Sequence, residues 1–300
     1  MTNKKILITG GAGFVGSNLV LTLQEKFPDN EYIVMDDFSS GDYTNLLGFK
    51  GEVICADIST ADLGHYFEKL DIIFHQAAIT DTTVFDQKLM MQKNVGGFKN
   101  VLDFALKSKA KLIYASSAAV YGHSQPPMIV GKNEMPANVY GFSKLVTDNI
   151  ARNYFNNLHI VGLRYFNVYG PGEKHKGKMA SMAWQLYSQM KEGKQPKLFK
   201  YGEQKRDQIY VKDVVNANIL AMEAKESGVF NVGTGRATTF NQIIASLKNI
   251  LGVNLEPEYI DNPYAHYQEN TEADLTKTQE ALNYKPVYTI EQGIEDYFKS

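Results

Sequence analysis

Residues 8–20 read ITGGAGFVGSNLV, and they place Gly10, Gly13 and Gly16 in a GxxGxxG spacing directly after the apolar run KILIT (5–9). Small residues here let the chain turn tightly from strand into helix. They also let the backbone approach a pyrophosphate, whose charge is met by free amide groups and the positive end of the helix. Glycine spacing alone is a weak signal, compatible with a tight turn that binds nothing. With a strand before it and a helix pattern behind it, the loop, including Phe14 and Val15, reads as a dinucleotide site.

The sequence on either side keeps the same rhythm. YIVMD (32–36), GEVICAD (51–57), DIIFHQAA (71–78), AKLIYASS (110–117) and LHIVGLRYF (158–166) read as buried strands, with helix patterns at roughly 14–27, 86–108 and 138–157. Apolar runs alternating with helices predict an α/β fold with a Rossmann-type doubly wound parallel sheet. After Phe166 the pattern loosens. A helix at 178–192, short strands at PKLF and DQIYV, a helix at 213–225, a strand at VFNVGTG and helices at 239–251 and 289–299 predict a smaller mixed α/β lobe. The expected division assigns 1–165 and about 207–232 to the dinucleotide lobe, and 166–206 and 233–300 to a nucleotide-sugar-binding lobe.

Composition narrows the function. With 31 basic and 33 acidic residues among 300 there is no global basic field for nucleic acid or an anionic bilayer, so an anion site must be local. No run approaches the length of a membrane span, and the N-terminus reads as a strand rather than a signal sequence. A single cysteine, Cys55, makes no internal disulfide, and the expected compartment is the cytoplasm. No metal-ligand pattern is evident.

The ends of the predicted strands carry candidate cofactor contacts. Strand two ends in MDDFSSG, where Asp36 or Asp37 can bind the adenosine ribose hydroxyls; a carboxylate there favours NAD because it repels a 2′-phosphate. Ser39 and Ser40 could still bond a phosphate, so NADP stays open. Asp57 can reach the adenine, and Gln76, Ala77 and Ala78 end strand four with little bulk against a ribose. His75 reads as a packed strand-end residue, and Asn94 as a candidate bond to backbone near the cofactor or as a plain surface residue.

Strand five ends in Ser116 and Ser117, and 23 residues past Ser117 stands VYGFSK, with Tyr140 and Lys144 at i, i+4 on one helical face. A lysine ammonium and an oxidised nicotinamide would both favour the phenolate and bring Tyr140 toward a useful pKa, while a serine hydroxyl orients the reacting oxygen. That set reads as a hydride-transfer site.

TGGAGFVGSNL, HQAA, SSAAVYG, YGFSK, RYFNVYGPG, RDQIYVKDV and FNVGTG occur in this order over essentially the whole chain. The chain thereby resembles the extended short-chain dehydrogenase/reductase superfamily of sugar-nucleotide epimerases and dehydratases. The resemblance implies an isomerase or reductase, a catalytic set of Ser117, Tyr140 and Lys144, tightly bound NADP or NAD, and a homo-oligomer. Dehydratases carry an acidic pair where this chain has Ala118 and Ala119, which turns the expectation toward epimerisation.

HKGKMASMAWQL, PKLFKYGEQKRDQIYV and PYAHYQENTEADL are similar to the corresponding segments of the heptose 6-epimerase branch, which acts on ADP-heptose in lipopolysaccharide core precursor synthesis. That likeness implies oxidation of a carbon-6 alcohol and its reduction from the other face. It implies Val168 and Lys176 beside the cofactor and Asn167 on the sugar. Lys178 and Gln185 would lie near the substrate, Phe199, Lys200, Tyr201, Gly202 and Arg206 on the diphosphate, and Tyr267 over the sugar. A guanidinium forks onto phosphate oxygens better than an ammonium, which gives Arg206 a physical case of its own. Lys176 would be the second acid-base group opposite Tyr140, its pKa lowered by burial beside cations such as Lys144 and Arg206; His175 is the alternative, and plain phosphate binding by these cations is the bland one. Two residues depart from the branch: Lys178 stands where small residues are usual, and Asp37 where asparagine is usual. A nucleotide-sugar 4-epimerase or reductase of the same superfamily, and a dinucleotide-binding module without turnover, are the competing readings.

Overall fold

The computed structural model describes residues 2–261 and 270–299. The strands are β1 (Lys5–Thr9), β2 (Glu31–Asp36), β3 (Glu52–Cys55), β4 (Ile72–His75), β5 (Lys111–Ser117), β6 (Ile160–Tyr165), β7 (Asn167–Tyr169), β8 (Lys197–Phe199), β9 (Lys205–Tyr210), β10 (Gly228–Val232), β11 (Ala237–Thr239) and β12 (Glu258–Ile260). The helices are α1 (Phe14–Lys26), α2 (Leu63–Tyr66), α3 (Gln87–Met90), α4 (Gly97–Ser108), α5 (Val139–Arg152), α6 (Met182–Lys191), α7 (Val211–Ala221), α8 (Phe240–Leu251), α9 (Thr276–Leu282) and α10 (Ile290–Lys299).

Among the described residues, seven strands form one parallel sheet in the order β10-β6-β5-β4-β1-β2-β3. The order reverses beside β1, and there the glycine loop emerges. Alternation explains why these strands read as continuous apolar runs: Ile6 and Ile8 of β1 join one core layer, Leu7 the other, so both faces are covered. A Rossmann-type α/β sheet is therefore present, with a second, smaller set of strands. β11, β9 and β7 form one small sheet, β12 and β8 another, and a third apolar cluster runs from Tyr169 through α6 and α8 to Ile294.

The stretch 207–232, expected to belong wholly to the dinucleotide lobe, is divided. β9 pairs with β7 and β11, whereas β10 pairs with β6 in the large sheet. Leu275, Leu282 and Tyr284, near the end of the chain, join the same core cluster as Ile6 and Ile8, so part of 233–300 packs with the first lobe. The predicted helix 86–108 is interrupted at Met91–Gly96 by a wider turn with π-type bonding that carries Asn94. The predicted helix 178–192 begins only at Met182; short turns from Lys174 to Met179 precede it, broken at Gly177, whose φ of +53° suits a residue without a side chain.

Candidate active site

The glycine loop is shaped by close approach. Gly10 has φ +67°, and a Cβ there would lie 2.6 Å from the Ala77 amide nitrogen; a Cβ on Gly16 would lie 2.1 Å from the Gly10 carbonyl oxygen. Gly13 is less crowded, its nearest contact being the Gly10 carbonyl oxygen at 3.1 Å, and it stands in extended conformation as the cap of α1. The first-turn amides of a helix have no partner within it, so the start of α1 offers donors to an anion. Asp36 is buried, and its carboxylate accepts from the Ala12 amide (2.9 Å) and the Phe38 amide (2.8 Å), which fixes the glycine loop from beneath. Burial raises its pKa, and those two amides act against the rise. Asp37 is exposed; one of its oxygens accepts from both the amide and the hydroxyl of Ser39. A backbone cradle that a Cβ would fill, beside a carboxylate-bearing turn, fits a dinucleotide.

Other expected cofactor contacts are already engaged with the protein. Asp57 pairs with Lys93 and accepts from Ser59, both carboxylate oxygens thereby having partners. Asn94 is buried rather than on the surface: its amide group accepts from the Ile79 N–H (2.8 Å) and donates to the Ile79 carbonyl and to Ser143 Oγ (each 3.0 Å). It therefore ties the segment after Ala77 and Ala78 to α5. Gln76 meets the Tyr165 hydroxyl (3.1 Å) and Asn218 (3.3 Å). His75 is packed, with Nδ1 2.8 Å from Thr9 Oγ, and burial lowers its pKa to about 3, so its ring is neutral.

Ser117 ends β5, and Tyr140 and Lys144 lie on the first turns of α5. Asn138 starts this helix by accepting from the Gly141 amide (2.8 Å). Gly141 is needed because a Cβ would sit 2.4 Å from the Ala119 carbonyl oxygen; the helix start presses on the turn that follows Ser117. Tyr140 and Ser117 consequently share a hydrogen bond. Lys144 is buried, donates to the Ala115 carbonyl at 2.8 Å, and stands 6.0 Å from the Tyr140 ring centre. Ser143 Oγ donates to the Tyr140 carbonyl at 2.7 Å.

The electrostatics differ from expectation. Burial raises the Tyr140 phenol, and the hydrogen bond with Ser117, rather than Lys144, acts against the rise. Burial lowers Lys144 to about 8, with the Asp148 carboxylate opposing the drop. Lys176 is lowered, as expected, but the cause is burial alone; its charged neighbour is Glu173, which pushes the other way, and Lys144 and Arg206 play no part.

Lys176 is half-buried, with Nζ 5.6 Å from the centre of the Phe14 ring at the start of α1. His175 meets Asn45 (3.2 Å), which also donates to the Ala12 and Gly172 carbonyls, so the His175 ring lies beside the glycine loop. Val15 and Val168 lie partly buried where two core clusters meet, and Phe14 is buried in one of them. Asn167 is exposed and accepts from Thr271 (3.3 Å). Lys178 is exposed, and Gln185 donates to the Lys178 and Ala180 carbonyls. Phe199 to Gly202 form the turn after β8, where Lys200 pairs with Asp261 (2.7 Å), Tyr201 is exposed, and Gly202 has φ +74°. Arg206 is buried on β9 and donates to the Lys205 carbonyl. Tyr267 lies outside the described residues.

Sequence reasoning missed the supports. Glu173 and Asp207, both fully buried, organise loops through several donors each; Asp207 accepts from the amides of Thr234, Gly235 and Ala273. Ser143 and Tyr165 likewise act through partners distant in sequence, which spacing alone does not disclose, whereas Asn94, expected as a candidate bond to backbone, meets that of Ile79. Among the described residues no group of three or more His, Cys, Asp or Glu side chains could hold a metal ion, and no helix is long and apolar enough to cross a membrane.

A glycine-loop cradle stands at the switch point of a parallel sheet. With half-buried Ser117 and Tyr140 and buried Lys144 gathered at the end of β5 and the start of α5, it fits a nicotinamide-dependent enzyme class. Residues 6–233 match the NAD dependent epimerase/dehydratase family, and the chain belongs to it; it is an epimerase-family isomerase. Among solved structures it is similar to the ADP-L-glycero-D-manno-heptose-6-epimerase of Helicobacter pylori, with 48% identity, a TM-score of 0.94, and coverage of 99% of this chain and 96% of that one. It is similar to the UDP-glucose 4-epimerase of Thermotoga maritima, solved with UDP-glucose, at 32% identity, TM-score 0.89 and 98% of both chains. The UDP-glucuronic acid 4-epimerase of Bacillus cereus, solved with UDP-glucuronic acid and NAD, matches at 27% identity, TM-score 0.87 and 98% of both chains.

Proposed function

We propose that this protein interconverts ADP-D-glycero-D-manno-heptose and ADP-L-glycero-D-manno-heptose, in the supply of a lipopolysaccharide core precursor. The observation that carries the reading is the 48% identity to the Helicobacter pylori enzyme over 99% of the chain. The lysine-bearing loop supports it, since Lys176 is the one lysine of KHKGKMAS drawn into a half-buried position against the glycine-loop helix while Lys174 and Lys178 stay exposed. A bound nicotinamide would supply a reversible two-electron acceptor; NAD and NADP both fit the cradle, and Asp37 favours NAD.

In this reading Tyr140 exchanges the proton of the sugar alcohol on one face, Ser117 orients the same oxygen, and the Lys144 ammonium holds the local charge. Lys176 does the proton work of Tyr140 on the opposite face, so that neither group has to follow a rotating sugar. Asn167, Gln185 and the Phe199–Gly202 turn border the substrate, Arg206 binds the diphosphate, Lys178 attracts it from the rim, and Tyr267 closes over the sugar. The lobes comprise 1–165 plus about 207–232, and 166–206 plus 233–300, with β9 exchanged to the second lobe and residues 273–284 packed on the first. A homo-oligomer in the cytoplasm completes the proposal.

The test is incubation of the purified protein with ADP-D-glycero-D-manno-heptose, with the C6 epimer resolved by proton NMR. Conversion is expected with ADP-heptose and not with UDP-glucose, and Lys176→Met should slow turnover by at least ~10² with the Michaelis constant nearly unchanged. Turnover of UDP-glucose instead transfers the protein to the 4-epimerases. A raised Michaelis constant at unchanged turnover makes Lys176 a phosphate anchor.

A further inference from the structure

The loop GPGEKHKGKMAS, residues 170–181, is closed by one buried side chain. Glu173 is fully buried, and one of its carboxylate oxygens accepts from the Gly170 amide (3.0 Å) and the Ser181 hydroxyl (2.8 Å). The other accepts from the Ser181 amide (2.5 Å), and the Tyr297 phenol of α10, raised by burial, lies close enough for the Glu173 charge to raise it further. Gly170 and Ser181 are the two ends of the loop, so a single carboxylate gathers both.

Every main-chain group aimed at Glu173 is a donor, and a carboxylate is an acceptor at both oxygens. A glutamine there would have to turn its NH₂ toward either the Gly170 or the Ser181 N–H. A buried donor facing a donor costs what a lost hydrogen bond costs, so the loop ends would part. Glu173 and Lys176 form no ion pair, yet the Glu173 charge is felt at Lys176 and opposes the effect of burial there. Lys174 and Lys178, on either side, are exposed.

We propose that Glu173 is the positioning residue of the lysine loop: by drawing Gly170 and Ser181 onto one carboxylate it seats Lys176, and neither neighbouring lysine, against Phe14 at the start of α1. The consequence for catalysis rests on the reading of Lys176 as an acid-base group, but the placement itself does not.

The experiment uses the full chain, with trace acetic anhydride labelling of Lys174, Lys176 and Lys178 read by peptide mass spectrometry over a pH series. Each rate is then that of the free amine, and the lowered pKa of Lys176 does not enter. In the unsubstituted protein Lys176 should label at least ~5-fold more slowly than its two neighbours, and in Glu173→Gln the three rates should converge to within about 2-fold, as expected when a local closure is lost. Turnover should fall by about 10-fold or more, because small displacements of a reacting group cost that much. In a Lys176→Met background the same Glu173→Gln change should cost under about 2-fold, the non-additivity of residues acting through one another. A folded Glu173→Gln protein in which Lys176 stays protected overturns the proposal. If labelling converges while turnover is untouched, the placement stands and the acid-base reading of Lys176 falls instead. Should Glu173→Gln not fold, Ser181→Ala removes the hydroxyl donor to Glu173 and keeps the main-chain bonds to that carboxylate; it should raise Lys176 labelling about 2-fold, and an unchanged rate overturns the proposal equally.

Discussion

Two loops border the site, and they are held in different ways. The glycine loop depends on clearance: a Cβ at 16 would meet the Gly10 carbonyl and one at 10 the Ala77 amide. The Gly13 amide bonds the same Gly10 carbonyl, and the Asp36 carboxylate holds the Ala12 amide from the next strand. The lysine loop is held by a buried side chain of its own and by two asparagines from far away. Its ends meet on Glu173, Asn18 donates to the Pro171 carbonyl (2.8 Å), and Asn45 donates to that of Gly172 (3.1 Å). A requirement for backbone clearance appears in a sequence as glycine at fixed spacing. A requirement for one acceptor at the meeting point of several donors appears only as an ordinary glutamate.

Breaking the glycine loop should have the largest effect. Gly16→Ala places a methyl 2.1 Å from the Gly10 carbonyl oxygen, so helix and turn must separate. Affinity for NAD, measured by titration, is expected to drop by about 10³-fold, ~4 kcal/mol. An alanine variant binding at the parental affinity would show that the close approach is dispensable.

Acid tests the buried support under that loop. His75 bonds Thr9 Oγ, which in turn accepts from the Ala77 amide (3.3 Å), and its folded pKa of about 3 lies below the ~6.5 of an unfolded histidine. The unfolded chain therefore binds a proton first as pH falls. This contribution to stability is complete above pH ~6.5 and is lost progressively toward pH ~3, amounting to roughly 3 kcal/mol by pH 4.5. Urea midpoints from pH 7 to 4.5 should fall less steeply in His75→Gln; parallel slopes would refute the linkage.

The smallest effect sharpens cofactor choice. Asp37 is exposed and already occupies the Ser39 donors that a 2′-phosphate would need. Asp37→Asn should shift the NADP-to-NAD affinity ratio toward NADP by about tenfold, ~1.4 kcal/mol. No shift would mean that the carboxylate does not face the 2′ position.

Much of the proposed catalytic set was placed by the sequence because it sits where regular structure makes position predictable. Ser117 ends a strand, and Tyr140 and Lys144 share a helical face by their spacing. The state of these groups was not legible. Tyr140 was expected to be lowered by Lys144 and an oxidised nicotinamide together, whereas the protein's own groups leave it raised by enclosure, and Lys176 owes its shift to burial rather than to nearby cations. Sequence spacing gives neighbours along an element but not the depth at which the folded chain encloses them.

The amino-acid sequence by itself determined the doubly wound sheet, through strand runs apolar on both faces, and the dinucleotide turn, through glycines whose spacing meets a local steric demand. Tertiary structure alone decided that β9 leaves the large sheet for a small one, that residues 275–284 return to pack on the first lobe, and that Glu173 and Asp207 organise the loops around the site. The physical reason is that periodicity and steric clearance leave a pattern in the chain, whereas a buried acceptor gathers donors at any separation. Glu173 does so from within its own loop and Asp207 from 27 to 66 residues away. Any such partner looks ordinary until the fold brings the groups together.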